Sequence, residues 1–597
     1  MGSHRWFASL SCVLAVALWA VHSQSSTTLA AGDPSWPQWG QNPQHTGSLN
    51  VAGQTLNRIL ANIVYDPLVA DEEAGTGGDL LAHYQTPLVD GSDVYMESKS
   101  GNYNVNTYSS ENWHQNKFTW QAGTLVKVWT FDSDWVPPGS AFDFWEPVYH
   151  AALANGFVYD PGAGGTIFKL NRSDGSVASR INPFDDIDGN TYTASPLTVD
   201  PSGNIYYNVV RVTGRGHDAF SKADAKDSWL VKVKPDDSVQ KVSYSTLLAH
   251  AAIIGESVPG AKDGCAVQFA DSQLPWPPAP DAVPPTTPCG SQRAALNVAP
   301  AVAPDGTIYT VSKAHFVTRY NYLIAVDANL TGKWAASLRG HLHDGCHAAP
   351  LPVSSGSVLP KNGDLGGCRV GATEGVDPGT NEPGPGRVFD DATSSPTVAP
   401  DGSIYFGALT VYNYGQGHLM HFSAQGAFLG AFGFGWDTTP AIYTHNGTYS
   451  VITKNNHYSG GSYCGVEAFC PSDRTASNPA SPEAYFITRL SPSLVIEWNF
   501  QNTNMLSCKR DDQGNITCTS DHPHGFEWCV NAVAVDSNGV IYANSEDGNL
   551  YAIRPDGTLK QNIFQQSALG AAYTPASLGN DGKIYSQNSG RLFVVGQ

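Results

Sequence analysis

The sequence predicts an all-β fold, an eight-bladed β-propeller with long disulfide-stapled loop insertions, and three observations predict it. A hairpin phrase recurs along the chain, the composition suits many short strands, and the 597 residues contain neither a helix-rich second domain nor a long flexible linker. One compact core rarely grows to that size, whereas in a repeat architecture each unit packs only on its neighbours.

The phrase is a small or Pro-containing apolar strand, a tight turn with Asp-Gly or Asn-Gly, then Ile-Tyr and a second strand. It reads SPLTVDPSGNIYYNVV from Ser195, APAVAPDGTIYTVS from Ala299, SPTVAPDGSIYFGA from Ser395, NAVAVDSNGVIYANS from Asn531 and TPASLGNDGKIYSQN from Thr574. Weaker copies begin at Thr86, Ala151 and Thr439. Glycine supplies the positive φ of a tight hairpin, and alternating Val, Ile and Tyr suit a pleated, half-buried surface. A third strand and another turn follow, as in GNLYAIRPDGTLK from Gly548 and HLMHFSAQGAFLG from His418, giving four strands per unit. A β-sandwich array would need linkers between domains, and a β-helix a shorter period. A propeller buries the face of each unit on the next and leaves only short edges. The last unit, from Gly570, offers three strands, and LNRILANIVY (Leu56 to Tyr65) is apolar enough to supply the fourth and close the ring.

Composition narrows the partners. Charged residues are 14% of the chain and aromatics 11%, with 60 glycines, 39 prolines and four methionines, as expected for strands joined by turns. A formal charge of −20 repels phosphate backbones and anionic lipid heads, so neither nucleic acid nor a membrane surface is an expected partner. Residues 1–23 have a basic start at His4 and Arg5, an apolar run from Trp6 to Val21 and then small polar residues. That is the plan of a secretory signal, cut after Ser23 or after Ala31, which leaves one propeller domain over 32–597, secreted or periplasmic. No other segment approaches the roughly 20 apolar residues of a membrane span.

Export makes disulfides the first reading of the cysteines. Apart from Cys12, they pair in sequence order as Cys265 with Cys289, Cys346 with Cys368, Cys464 with Cys470 and Cys508 with Cys518, leaving Cys529 odd. Each bridge staples a loop. Closing one of about two dozen residues is worth about 3 kcal/mol by the chain-entropy argument.

The opening SWPQWGQNPQHTG (Ser35 to Gly47), the SPTVAPDGSIYFG hairpins and the phrase GNLYAIRPDG together resemble the quinoprotein-like, PQQ-repeat β-propellers. The resemblance covers most of the chain at the level of repeats. That family includes PQQ-dependent dehydrogenases of alcohols or sugars, and also cofactor-free scaffold and binding proteins. The dehydrogenase branch would imply PQQ with Ca²⁺ in the central channel, a tryptophan beneath it and adjacent cysteines above. No Cys-Cys pair occurs here, and AVDANLTGKWAAS places Trp334 directly after Lys333.

In such propellers the residues just before each hairpin phrase face one channel mouth. Four units place an aromatic with an ionisable residue there: His83 with Tyr84, Trp145 and Glu146 with His150, Trp436 with Asp437, and His524, Glu527 and Trp528 in DHPHGFEWC. The repetition suggests an aromatic-walled polar mouth for a small molecule, glycan or protein; each residue alone suits the packing between blades equally well. HLHDGCHAAP supplies His341, His343, Asp344 and His347, a pattern able to ligate zinc, copper or iron or simply to hydrogen-bond in a stapled loop. Three activities therefore stay open: ligand, polysaccharide or protein binding at the mouth, PQQ-dependent oxidoreduction, and metal-assisted hydrolase or lyase chemistry. No Gly-x-Ser-x-Gly, phosphate loop or His-Glu-x-x-His is present.

Overall fold

The computed structural model describes residues 35–75, 85–102, 111–137, 148–215, 222–269, 279–342, 376–377, 380–384, 386–390, 394–409, 416–457, 484–570 and 573–597. The signal segment, His83, Trp145, Glu146, His343, Asp344, His347, Cys346, Cys368, Cys464 and Cys470 lie outside these residues. Among the described residues no helix is long and apolar enough to cross a membrane.

Eight sheets of four or more strands follow one another along the chain as the blades of a propeller. The inner strands are Leu88–Asp90, Ala152–Ala154, Thr198–Val199, Ala301–Val302, Thr397–Val398, Ala441–His445, Ala534–Val535 and Ser577–Leu578, which define blades 1 to 8. Blade 8 takes its outermost strand from the other end of the chain, where Arg58–Val64 pairs antiparallel with Arg591–Gly596.

The recurring phrase has a local cause. In blade 7, Asp536 accepts backbone N–H groups from Asn538 and Val540, and the Tyr542 hydroxyl of the Ile-Tyr pair donates back to the same carboxylate. Blade 3 repeats this with Asp200 and Tyr206. An Asp that caps its own turn and a Gly at positive φ, such as Gly402 at 82°, fix the hairpin before any blade packs.

Apolar packing then runs between blades rather than within them. Tyr309, Val311 and Leu323 of blade 4 pack on Val398, Phe406, Met420 and Phe422 of blade 5, and similar shared clusters join the other neighbours. Trp334 belongs to this seam. Its indole lies over Gly426 of the blade 5 turn, where an added Cβ would come within 2.8 Å of the ring, and its Nε1–H donates to the Ala424 carbonyl at 3.1 Å. Trp129 on Gly175 and Trp498 on Gly557 repeat the arrangement at the blade 1/2 and blade 6/7 seams.

One helix was not legible as such. YSTLLAH (Tyr244–His250) forms a capped helix of about two turns between blades 3 and 4, with Ser243 accepting from the Thr246 N–H and Tyr244 and Leu247 buried. Cys265–Cys289 and Cys508–Cys518 are both bonded, the second as a directly opposed pair within a two-stranded hairpin, Leu506–Arg510 with Ile516–Ser520.

Candidate functional site

The two mouths of the channel differ. At the mouth where the inner strands end, residues 36–54 form a strap that visits every blade in order. Trp36 exchanges backbone hydrogen bonds with Val89, and the Pro37 carbonyl accepts from Leu153. The Gln38 side chain pairs with both backbone groups of Val199. Pro43, Gln44, Thr46 and Gly47 carbonyls accept in turn from Val302, Val398, Ile442 and Val535, and Gln54 N–H donates to Gly582. The inner-strand ends would otherwise present unpaired backbone groups, and the strap satisfies them.

Two strap side chains turn into the channel. His45 is 1% exposed and spans the Pro396 carbonyl of blade 5 and the Thr198 hydroxyl of blade 3; burial pushes its pKa down to about 4, so it stays neutral. Trp39 is 0% exposed and packs with Val148, Ala299, Cys529 and Tyr573. These partners lead into or belong to blades 2, 4, 7 and 8, so the indole sits near the propeller axis. Its Nε1–H is buried without a hydrogen-bond partner.

The opposite mouth, where the inner strands begin, is stitched by the Ser-Pro and Thr-Pro residues of the repeat. Ser395 Oγ accepts from Ala299 N–H, Thr439 Oγ1 from Ser395 N–H, and the Asn531 carbonyl from Thr439 N–H, linking blades 4 to 7.

Several expected residues take structural positions here. His150 is fully buried, donates through Nδ1 to the Ala151 carbonyl and accepts the Thr86 N–H at Nε2, joining blades 1 and 2. Burial pushes its pKa down to about 4, which unsuits it as a base near neutrality. Asp437 is buried and accepts from Asn531 Nδ2 at 2.8 Å, while half-buried Trp436 packs edge-on against Phe389 over a crevice with room for about one water. Trp528 points into the blade 6/7 seam, donating to the Tyr485 carbonyl and packing on Phe500 and Tyr551. His524 is half-buried, and stands apart from the acidic cluster formed by Glu527. His341 stacks on Phe428 at 4.5 Å beside the outer strand of blade 5, and burial lowers its pKa.

Glu527 lies where chemistry gathers. The ligand atoms of Glu527, Cys529 and Glu546 fall within 4.8 Å of one another. The Cys529 thiol, which forms no disulfide, donates to Glu546 Oε1 at 3.0 Å; burial raises its pKa well above the ordinary value, and both glutamates add to the rise. Asn456 Nδ2 donates to Glu527 Oε2, and Lys454 Nζ lies 4.6 Å from the Tyr573 ring. No sequence spacing joins these groups: Lys454 and Asn456 sit on the second strand of blade 6, Cys529 precedes blade 7, and Glu546 is on a turn of blade 7.

Two further buried polar sets flank the mouth. Asp390 receives both guanidinium nitrogens of Arg293 and the Lys313 ammonium. Burial alone would push Asp390 up, but these two cations outweigh it and hold the carboxyl far below the usual range. Tyr149 donates to Asp160, and burial pushes Asp160 up to about 8 despite that hydrogen bond.

Asp160 makes the stability of the fold depend on pH. Its folded pKa lies above the unfolded value, so between about pH 4 and 8 the unfolded chain releases a proton that the folded chain keeps. This group therefore lowers stability as pH rises, by about 1.4 kcal/mol per pH unit within that window. Thermal melts at pH 5 and pH 8 should show a smaller loss for Asp160→Asn than for the parent. An Asn variant that loses as much stability as the parent between the two pH values contradicts this.

No protein-family model and no curated protein matches the chain. Among solved structures it is similar to the quinohemoprotein alcohol dehydrogenase of Comamonas testosteroni, with a TM-score of 0.44 and 12% identity over 94% of this chain and 81% of that one. It is also similar to BamB of Moraxella catarrhalis, with a TM-score of 0.36 and 9% identity over 82% of this chain and 90% of that one. The propeller itself is read from the strand pairing, not from these loose likenesses.

Proposed function

We propose that this is an exported propeller that binds a neutral or cationic partner, an oligosaccharide or a basic polypeptide segment, at the mouth where its inner strands begin. One observation carries the reading: the strap crosses the other mouth and hydrogen-bonds to every blade, whereas this one holds Glu527, Cys529 and Glu546 at the entry to blade 7 and Trp436 and Asp437 at the entry to blade 6. The two disulfides among the described residues support export, since such bonds persist in oxidising compartments. The overall charge of −20 favours a neutral or cationic partner.

The described mouth does not fit a tricarboxylate quinone with calcium. Arg293 and Lys313 are both engaged by Asp390, Lys454 lies against Tyr573, and Trp39 fills space near the axis. A thiol between two carboxylates is also a poor set for calcium, which takes oxygen ligands.

Calorimetric titration with chitohexaose, cellohexaose and an oligolysine peptide, at low salt and at 0.5 M salt, tests the reading. At least one probe should bind, and a cationic one should weaken as salt rises. Trp436→Ala at this mouth should reduce binding about tenfold or more, as loss of an aromatic anchor does. Asp305→Asn, on a turn at the strap mouth, should leave it unchanged. Binding of none of the three probes, or equal binding by Trp436→Ala, overturns the proposal.

A further inference from the structure

We infer that Glu527, Cys529 and Glu546 form a site for a thiophilic divalent cation of the zinc class. Their ligand atoms already lie within 4.8 Å of one another. Around tetrahedral zinc, with Zn–S about 2.3 Å and Zn–O about 2.0–2.2 Å, neighbouring ligand atoms are about 3.5 Å apart, so small side-chain rotations close the set. Thiolate with two carboxylates suits zinc better than calcium or magnesium, whose ligands are oxygens.

The surroundings meet the other requirements of a metal site. Asn456 supplies an outer contact, donating to Glu527 Oε2 and accepting the Trp528 N–H, and so orients one ligand. The backbone is pinned on each side: Glu546 N–H donates to the Glu527 carbonyl, and Tyr573 N–H to that of Cys529. Charge closes as well. On binding, the Cys529 thiol gives its proton to solvent and Sγ bonds the metal, so a dication meets three negative ligands with the Lys454 ammonium nearby. Cys529 is buried while both glutamates are half-buried, which leaves a path for the ion from the mouth.

A second, independent observation marks the spot. Trp39 is fully buried in the small cluster that contains Cys529 and Tyr573, and its indole N–H has no hydrogen-bond partner. A buried donor without an acceptor costs about 1–3 kcal/mol. Three protein ligands leave zinc a fourth position, and an oxygen ligand would bring an acceptor into the cluster that holds both Cys529 and this indole.

Cobalt(II) titration of the full-length protein tests the site, because a thiolate–cobalt bond gives a near-ultraviolet charge-transfer band that carboxylates alone do not. One equivalent should develop the band, and zinc should displace it; calcium should not. Cys529→Ser should abolish the band, Glu546→Gln should weaken cobalt binding at least about tenfold, and Asn456→Ala should weaken it by about tenfold. Melting curves identify any variant that has lost its fold, and the parent spectrum decides the matter alone. Absence of the band in the parent, its survival in Cys529→Ser, displacement by calcium, or recovery of Cys529 in a disulfide overturns the inference. The oligosaccharide and peptide titrations read partner binding separately, so failure of either proposal leaves the other standing.

Discussion

A chain lacking residues 35–64 is expected to have no cooperative folded state. The deletion removes the strap bonded to all eight blades and the strand Arg58–Val64 that completes blade 8. It also removes Trp36, Trp39, Leu49 and Leu56, each 4% exposed or less. Truncating one large buried side chain costs about 3–5 kcal/mol, and a whole domain is stable by about 5–15 kcal/mol. Four such losses are comparable to the whole of that margin before the open edge at Arg591–Gly596 is counted, and an unpaired edge invites aggregation. Near-ultraviolet circular dichroism and a thermal melt are the measurements, and a cooperative melt within a few degrees of the parent contradicts the expectation. A permuted chain carrying residues 35–64 after Gln597, on a flexible linker, should regain the transition, because the strand then meets its partner from the other end.

The second large effect is expected from Asp390→Ala. Arg293 is 0% exposed, Lys313 2% and Asp390 5%, and the carboxylate is shared by both cations. Removing it leaves two buried positive charges facing each other, and breaking a buried pair in this way costs about 3–5 kcal/mol. The main-chain carbonyl of Asp390 also accepts from Asn297 Nδ2, which survives the substitution, so the loss reads the charges and not the chain path. Urea unfolding should show a lower midpoint with an unchanged slope. Replacing the three together with Arg293→Met, Lys313→Met and Asp390→Leu should cost less than Asp390→Ala alone, since apolar groups of similar size need no partner. A triple variant weaker than the single one contradicts this account.

The hairpins were legible because their determinants are local. Asp536, Gly539 and Tyr542 settle one turn among themselves within seven residues, and the same interval returns at Asp200 and elsewhere. Cys508 and Cys518 were legible for a similar reason, being opposed across a short hairpin. The short helix at Tyr244–His250 was hidden because seven residues carry too little periodicity to outweigh the surrounding strands.

The mouth was harder to read. Register along the repeat brought Glu527 and Asp437 to attention, and the same register places Trp528 in a seam and His150 in a backbone clasp. Position before a hairpin says which end of a blade a residue occupies; it does not say whether the side chain turns toward the axis or toward the next blade. That choice belongs to packing.

By itself, then, the sequence determined the all-β class, the repeat and the pairing of cysteines 265 with 289 and 508 with 518, since each depends on residues close in the chain. Only the tertiary structure decided that Trp39 and Cys529, 490 positions apart, share one buried cluster, and that Lys454, Cys529 and Glu546 surround one point. The reason is geometric: a ring of blades brings one short stretch from each repeat to a common axis, so its contacts join residues that no sequence interval connects.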